Sequence, residues 1–155
     1  MQINGLPGDV SVQGFAGDIQ LNSFQFGVGR GISSPTGAAG DRESSAPSVS
    51  EVVITKTLDQ TSPELLRDLL AGADIPEIDI FVNLSKGGQA GTAYAEYVLS
   101  DVLLSGFSTS SGGDRPTESL SLNFLKVQYK SFTQNADGTT SVDSLTYDLT
   151  QQKLL

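Results

Sequence analysis

Three carboxylates that lie close together in the sequence, Asp74, Glu77 and Asp79, form the densest acidic group in the chain. Two carboxylates that face one cleft could act as the acid and the base of a glycosidase. However, Asp79 alternates with apolar residues along a predicted strand, and Asp74 lies just beyond a predicted helix. The pattern therefore favours solvated charges over a catalytic pair.

A second candidate is the segment with Asn135, Asp137 and Gly138, which shares part of the spacing of a calcium-binding loop. The remaining ligands and the closing glutamate are absent, and an Asp-Gly pair between two strands is typical of a hairpin turn. Glycine pairs at 87–88 and 112–113 are also predicted turns, because neither precedes the Lys-Ser/Thr and helix of a phosphate-binding loop. We therefore expect no metal and no cofactor.

Composition excludes further classes of function. The 155 residues include no cysteine and no histidine, which rules out disulfides, thiolate metal sites and a Ser-His-Asp triad. We therefore expect that the chain is not an enzyme. The net charge of −9 disfavours nucleic acid and anionic membranes as partners. No apolar run reaches the roughly 20 residues of a membrane helix, and residues 1–5 lack the pattern of a secretory signal, so we expect neither membrane insertion nor a signal peptide.

The elements around these residues are mostly predicted strands. Residues 109–130 begin with a turn-forming block at 110–116 and continue as a long alternation of apolar and polar residues. The apolar face switches between Phe124 and Leu125, which predicts a bulge or a bend from one sheet into another. A similar switch occurs near 22–23. A strand that serves two sheets indicates a barrel or a barrel-like sandwich.

One helix is predicted, at about 62–71. Ser62 could cap it ahead of a proline at the first helical position, or Thr61 could form a capping box with Glu64. Gly72 can end it. Four leucines on one face are predicted to be core: Leu65, Leu66, Leu69 and Leu70.

Three other stretches have strand patterns. Residues 78–84 alternate cleanly, and a last strand is predicted at 144–150. Residues 93–107 are apolar on both parities, which predicts a strand covered on two faces, and burial against another subunit is one way to cover the second. Lys126 and Lys130 are predicted on the outward, edge-protecting face of a strand.

Several segments, taken in order, resemble the Hcp family, the tube proteins of bacterial type VI secretion systems. The resemblance is strongest in Asp114–Glu118 followed by Ser121–Phe124. The other matching segments are Phe24–Val28, Ile54–Lys56, Thr61–Leu65 and Asp101–Leu103.

This resemblance implies a single domain over residues 1–155, mainly β, with a barrel-like pair of packed antiparallel sheets and one short helix. It implies a homohexamer whose rings stack into the inner tube of the secretion apparatus, with effector proteins in the lumen and with sheath and spike proteins as further partners. It also implies assembly in the bacterial cytoplasm, followed by secretion without a signal peptide.

Residues 29–50 are poor in apolar side chains and rich in Gly, Ser and Pro. By composition they could be a mobile surface loop or a functional one. The resemblance implies an extended loop that touches a neighbouring subunit or ring. Its charged residues could make those contacts: Arg30, Asp41, Arg42 and Glu43.

Two alternative functions fit the same fold class. A tail-tube or baseplate subunit of another contractile injection machine would differ only in its partners. A monomeric β-sandwich binding module predicts exposed aromatic platforms and no self-association.

Overall fold

The structure is a computed structural model that describes residues 1–33, 43–83 and 93–155. These residues form eleven strands and one helix. In chain order they are β1 (Gln2–Ile3), β2 (Ser23–Gln25), β3 (Val28–Ser33), β4 (Glu43–Val49), β5 (Val52–Thr57), α1 (Ser62–Ala71), β6 (Ile75–Asn83), β7 (Ala93–Ser110), β8 (Thr117–Asn123), β9 (Lys126–Gln134), β10 (Thr140–Asp148) and β11 (Lys153–Leu154).

The 18-residue strand β7 joins two antiparallel sheets. Its residues 93–102 pair with β6, and residues 95–100 also pair with β9. Residues 103–110 pair with β8. The first sheet therefore has the order β1-β6-β7-β9-β10-β11, and the second sheet has the order β7-β8-β5-β2. This arrangement confirms the predicted barrel-like pair of sheets.

One hydrophobic core draws side chains from both sheets. Alternate residues of the strands that line this core point inward, as the period of a strand requires. Burying each such aliphatic side chain contributes about 1.5–3 kcal/mol to folding. The least exposed members are Ile19, Val52, Ile54, Leu65, Ile78, Ile80, Leu99, Val102, Leu120 and Leu122.

The predicted change of face within 109–130 is a bend between two strands. β8 ends at Asn123 and β9 begins at Lys126, so this stretch is not the single long strand that we predicted. Phe124 is buried and Leu125 is exposed, which accounts for the change in parity. Both strands pair with β7, β9 along residues 95–100 and β8 along residues 103–110, so β7 is the strand that runs through both sheets.

β7 accommodates the bend with two local irregularities. Asp101 has a φ of 53°, in the left-handed region that a non-glycine residue seldom occupies. A bulge lies between Leu104 and Gly106. Both positions lie where β7 passes from β9 to β8, so they turn the strand from one sheet into the other.

The second predicted change of face, near 22–23, lies at the start of the short strand β2 and not inside a longer strand.

The N-terminal segment is held by backbone hydrogen bonds between turns. Gly8 N donates to Gly17 O at 2.7 Å, and Val10 N donates to Asp18 O at 3.0 Å. A side-chain carbon at Gly8 would lie 2.3 Å from the Asp18 carbonyl oxygen, so this approach requires glycine.

Helix α1 occupies the predicted residues and ends at Gly72, which has a φ of 63°. Neither proposed N-terminal cap forms. Thr61 occupies the N-cap position without a side-chain hydrogen bond to the helix, and the Ser62 hydroxyl bonds elsewhere. In the described part of the chain, no helix is long and apolar enough to span a membrane.

The leucine face of α1 is only partly core. Leu65 is buried and Leu69 is half-buried, as predicted. Leu66 and Leu70, however, leave 38% and 76% of their surface exposed. The leucine stripe is wider than the side of the helix that meets β7, so these two side chains remain at the surface.

Residues 29–50, predicted as an extended loop, contain strands in their described part. β3 and β4 form an antiparallel ribbon, in which Val28 pairs with Val49 and Ser33 with Glu43. Within the described residues, these two strands pair only with each other. We call this ribbon the β3–β4 arm. The prediction missed it because most residues of the ribbon face solvent, and such a ribbon needs no apolar alternation.

The predicted turns fall between strands where the structure describes them. Residues 111–116 connect β7 to β8, and residues 135–139 connect β9 to β10. The turn predicted at 86–91 lies outside the described residues.

Candidate interaction surface

The three neighbouring carboxylates lie in unlike surroundings. Asp74 and Glu77 are exposed, and Asp79 is half-buried on β6. Burial and the negative charges of Glu77 and Glu96 raise the pKa of Asp79, and Lys130 opposes that rise. Lys130 Nζ lies 3.1 Å from Glu96 Oε2. β9 lies between β7 and β10, so Lys130 is not at a sheet edge. The prediction that Lys130 protects an edge is therefore wrong, and its side chain instead pairs with Glu96.

Residues 135–139, which share part of the spacing of a calcium-binding loop, form the turn between β9 and β10, as the Asp-Gly pair predicts. Asp137 Oδ1 accepts hydrogen bonds from Thr139 N at 2.9 Å and Thr139 Oγ1 at 2.6 Å. These bonds hold the pKa of Asp137 below its usual value. Across residues 1–33, 43–83 and 93–155, no three Asp or Glu side chains cluster to hold a metal ion.

The most organised polar group in the molecule is a buried network around Lys56. Lys56 Nζ lies 2.8 Å from Asp59 Oδ1 and 3.0 Å from both Ser62 Oγ and Glu118 Oε2. The Ser62 hydroxyl donates to Glu118 Oε2 at 2.7 Å. Burial disfavours the charge on Asp59, but hydrogen bonds from Lys56 and Thr61 leave its pKa below the ordinary value.

Three of the segments that carry the family resemblance meet in this network. Lys56 comes from β5, Ser62 from the start of α1, and Glu118 from β8, which follows the turn at 111–116. Lys56 and Glu118 are direct partners in the β5–β8 register. These residues therefore fix the helix to the second sheet, and their role is structural.

The β3–β4 arm carries two of the four residues predicted to contact other subunits, Arg30 and Glu43. β3 is exposed at every position, and 58% of Val28 and 59% of Ile32 face solvent. Arg30 lies on β3 opposite Pro47. Asp41 and Arg42 lie outside the described residues. Glu43 begins β4, and its side chain is also outside the description.

An apolar cleft of about 180 Å³ separates the base of the arm from the first sheet. It opens beside Leu145 and Leu154, of which 49% and 63% are exposed. The Tyr147 hydroxyl is buried and has no hydrogen-bond partner in the described part of the protein. The residues that line the cleft are Phe26, Val28, Pro47, Val49, Val127, Tyr129, Leu145, Tyr147 and Leu154.

The strand β10 has an open edge beside this cleft. It pairs with β9 along its whole length. On its other side, β11 covers only residues 146–148. On this second side, residues 140–145 have no strand partner among the described residues, so their outward backbone N–H and C=O groups are open to another strand. Alternation in the sequence predicts this strand only at 144–150 and does not reveal the edge, because Val142 is the only apolar residue in 140–144.

Comparison with known proteins agrees with the sheet arrangement. The sequence profile of the family described as "Type VI secretion system effector, Hcp" matches residues 1–130. The chain belongs to the Hcp family. This Hcp chain is similar to the protein Hcp1 of Pseudomonas aeruginosa, with 35% identity over 92 residues. The matched part is 58% of this chain and 56% of that relative, so the chain covers little more than half of the relative's length.

Solved structures share the fold of this Hcp chain. A structure described as a type six secretion system protein has a TM-score of 0.86 at 19% identity and covers 99% of this chain and 96% of its own. Hcp1 from Salmonella typhimurium has a TM-score of 0.75 at 21% identity, with 99% and 95% covered. A type VI secretion system effector from Yersinia pestis has a TM-score of 0.75 at 20% identity, with 95% and 96% covered. At these identities the likeness establishes the fold.

Proposed function

We propose that this Hcp chain is the structural subunit of a type VI secretion tube. In this proposal six copies close a ring, and rings stack into the inner tube that a contractile sheath propels. Effector proteins travel in the lumen, and the spike protein caps the assembly. The subunit assembles in the bacterial cytoplasm, leaves through the apparatus without a signal peptide, and catalyses no reaction.

The β3–β4 arm is the observation that carries this proposal. A two-stranded ribbon is marginally stable in water when nothing packs on it. The arm nevertheless keeps Val28 and Ile32 in solvent. A neighbouring copy that covers the exposed part of these two side chains would contribute about 1–2 kcal/mol for each. Arg30, Asp41, Arg42 and Glu43 are proposed contact residues of this interface.

Residues 1–155 are treated as one domain in this proposal. The shared core supports that treatment, because it includes buried side chains from both sheets and from α1. A subunit with one core and a projecting arm is suited to a rigid ring. The net charge of −9 supports a tube without nucleic-acid or membrane partners.

Native mass spectrometry of the purified protein, with negative-stain images of the same sample, tests the function. We expect a mass six times that of the chain and ring-shaped particles. A monomer at all concentrations and salt conditions would contradict the proposal and favour a β-sandwich binding module. A pull-down with the sheath protein separates a type VI tube from a tail tube of another contractile machine.

A further inference from the structure

We propose that the open edge of β10 receives strand β3 from a second copy of the chain, with Arg30 of one copy beside Asp143 of the other. This inference rests on the proposed ring of identical subunits. It adds the acceptor surface and one ion pair that holds the two copies in register.

The acceptor edge lacks three of the usual protections against strand pairing. Residues 140–145 contain no proline and no lysine, and their register with β9 has no bulge. Asp143 is exposed, and it lies on the same strand face as Leu145, which lines the apolar cleft. A carboxylate in this position disfavours pairing with an arbitrary strand and favours one that brings a cation.

The donor edge is β3 and not its partner β4. β4 contains Pro47, which has no backbone N–H, and it carries the extra residue of the irregularity opposite Gly31. β3 has neither defect. Its alternation places Val28, Arg30 and Ile32 on one face.

The side chains of the two edges are complementary. In the described part of the chain, Arg30 and Asp143 form no ion pair. When Arg30 lies opposite Asp143, Val28 and Ile32 flank it symmetrically. One of these two apolar residues therefore meets Leu145 whichever way the strand runs. Docking would also cover the mouth of the cleft, where Leu145 and Leu154 are exposed.

The geometry of the contact suits a closed ring. The donor edge and the acceptor edge are different surfaces, so the interface is heterologous and repeats from head to tail. Such an interface closes when the rotation between copies divides the circle evenly. Each subunit then gives one arm and receives one.

Charge reversal tests the ion pair. Arg30→Glu and Asp143→Arg, each alone, should raise the protein concentration needed for half-assembly at least about tenfold, because like charges then meet at the interface. The double variant should restore assembly. Arg115→Glu and Asp74→Arg make the same charge changes at exposed positions away from both edges, and they should assemble like the wild type. Circular dichroism should show that every variant is folded.

Disulfide trapping gives a second, independent test. The chain has no cysteine, so the Arg30→Cys, Asp143→Cys double variant introduces the only two thiols. Neighbouring strands place paired Cα atoms about 4.5–5.5 Å apart, within the range of a disulfide. Oxidation of assembled protein should give a ladder of covalent multimers, and each single-cysteine variant should give no species larger than a dimer.

The outcomes separate this inference from the proposed function. Wild-type rings whose assembly neither charge reversal alters, or rings that give no ladder, would overturn the β3–β10 contact and leave the tube subunit intact. Loss of rings in both single variants without rescue in the double variant would also overturn the pairing. A wild-type protein that never assembles would overturn the proposed function itself.

Discussion

Lys56 and Glu118 face each other across β5 and β8, with Nζ 3.0 Å from Oε2 and both side chains withdrawn from solvent. A charged pair in the interior is costly to desolvate, and it contributes to stability only when its hydrogen bonds are satisfied. Here Asp59 and Ser62 supply the additional partners. The pair therefore joins the second sheet to the start of α1.

Removing one member of the pair should be strongly destabilising. We expect Lys56→Met to lower the free energy of unfolding by about 3–5 kcal/mol, because Glu118 is left buried without a cation. The double variant Lys56→Met, Glu118→Leu should lose less than the sum of the two single changes. Denaturant unfolding monitored by circular dichroism measures both. Arg67→Met, which breaks the exposed pair with Glu64, is the control and should cost at most about 1 kcal/mol. A similarly small loss for Lys56→Met would contradict the structural role.

The close approach at Gly8 gives a second prediction. Gly8→Ala should lower stability by about 1–3 kcal/mol, because the new methyl group would overlap the Asp18 carbonyl and push the two turns apart. Gly112→Ala is the matched control, since no atom lies within 4 Å of a side chain at that position. Its stability should change by less than about 0.5 kcal/mol. Thermal unfolding compares the two variants, and equal melting temperatures would refute the close packing.

Asp79 gives a prediction about pH. Its pKa is raised in the folded protein, first by burial and then by Glu77 and Glu96. Ionised Asp79 therefore opposes folding at pH values above its folded pKa, and this cost is absent below the unfolded pKa, which is about 3.9. Asp79→Asn should raise stability at neutral pH, and the gain should disappear as the pH falls toward 4. Urea unfolding at several pH values tests this, with Asp74→Asn as the exposed control. A gain that persists at pH 3 would have another cause.

The arm should be dispensable for folding and necessary for assembly. No described residue from 29 to 48 belongs to the hydrophobic core. The hydrogen bond from Ser50 N to Gly27 O would remain to close the base. We expect a variant with residues 29–48 replaced by two glycines to keep its circular dichroism spectrum and to assemble much less than the wild type by native mass spectrometry. Insoluble protein would instead show that the arm supports the fold.

The core strands and the helix could be predicted because their signals are local. Gly72 and the proline after Ser62 fix the ends of α1, and alternation reveals the inward face of each core strand. Lys56 was missed although a signal was present. It continues the buried series Val52 and Ile54, just as Glu118 continues Leu120 and Leu122. Charged residues at core positions of two strands could have indicated a buried pair.

The arm and the open edge could not be predicted in the same way. Residues 28–33 and 140–145 have few apolar side chains because neither is covered within one subunit. In the proposed assembly a second copy completes these surfaces, so they leave little trace in the alternation of a single chain. Such a surface is recognised by a stretch whose composition is typical of a loop but whose backbone forms the hydrogen bonds of a strand.

Strand β7 also determines how the subunit responds to force. Because its two halves belong to different sheets, a pull on one sheet is transmitted along a continuous peptide backbone to the other. Neither sheet can separate from the rest of the subunit without breaking hydrogen bonds to β7. In the proposed tube, a sheath that drives the tube forward would therefore push on a subunit whose two sheets resist together.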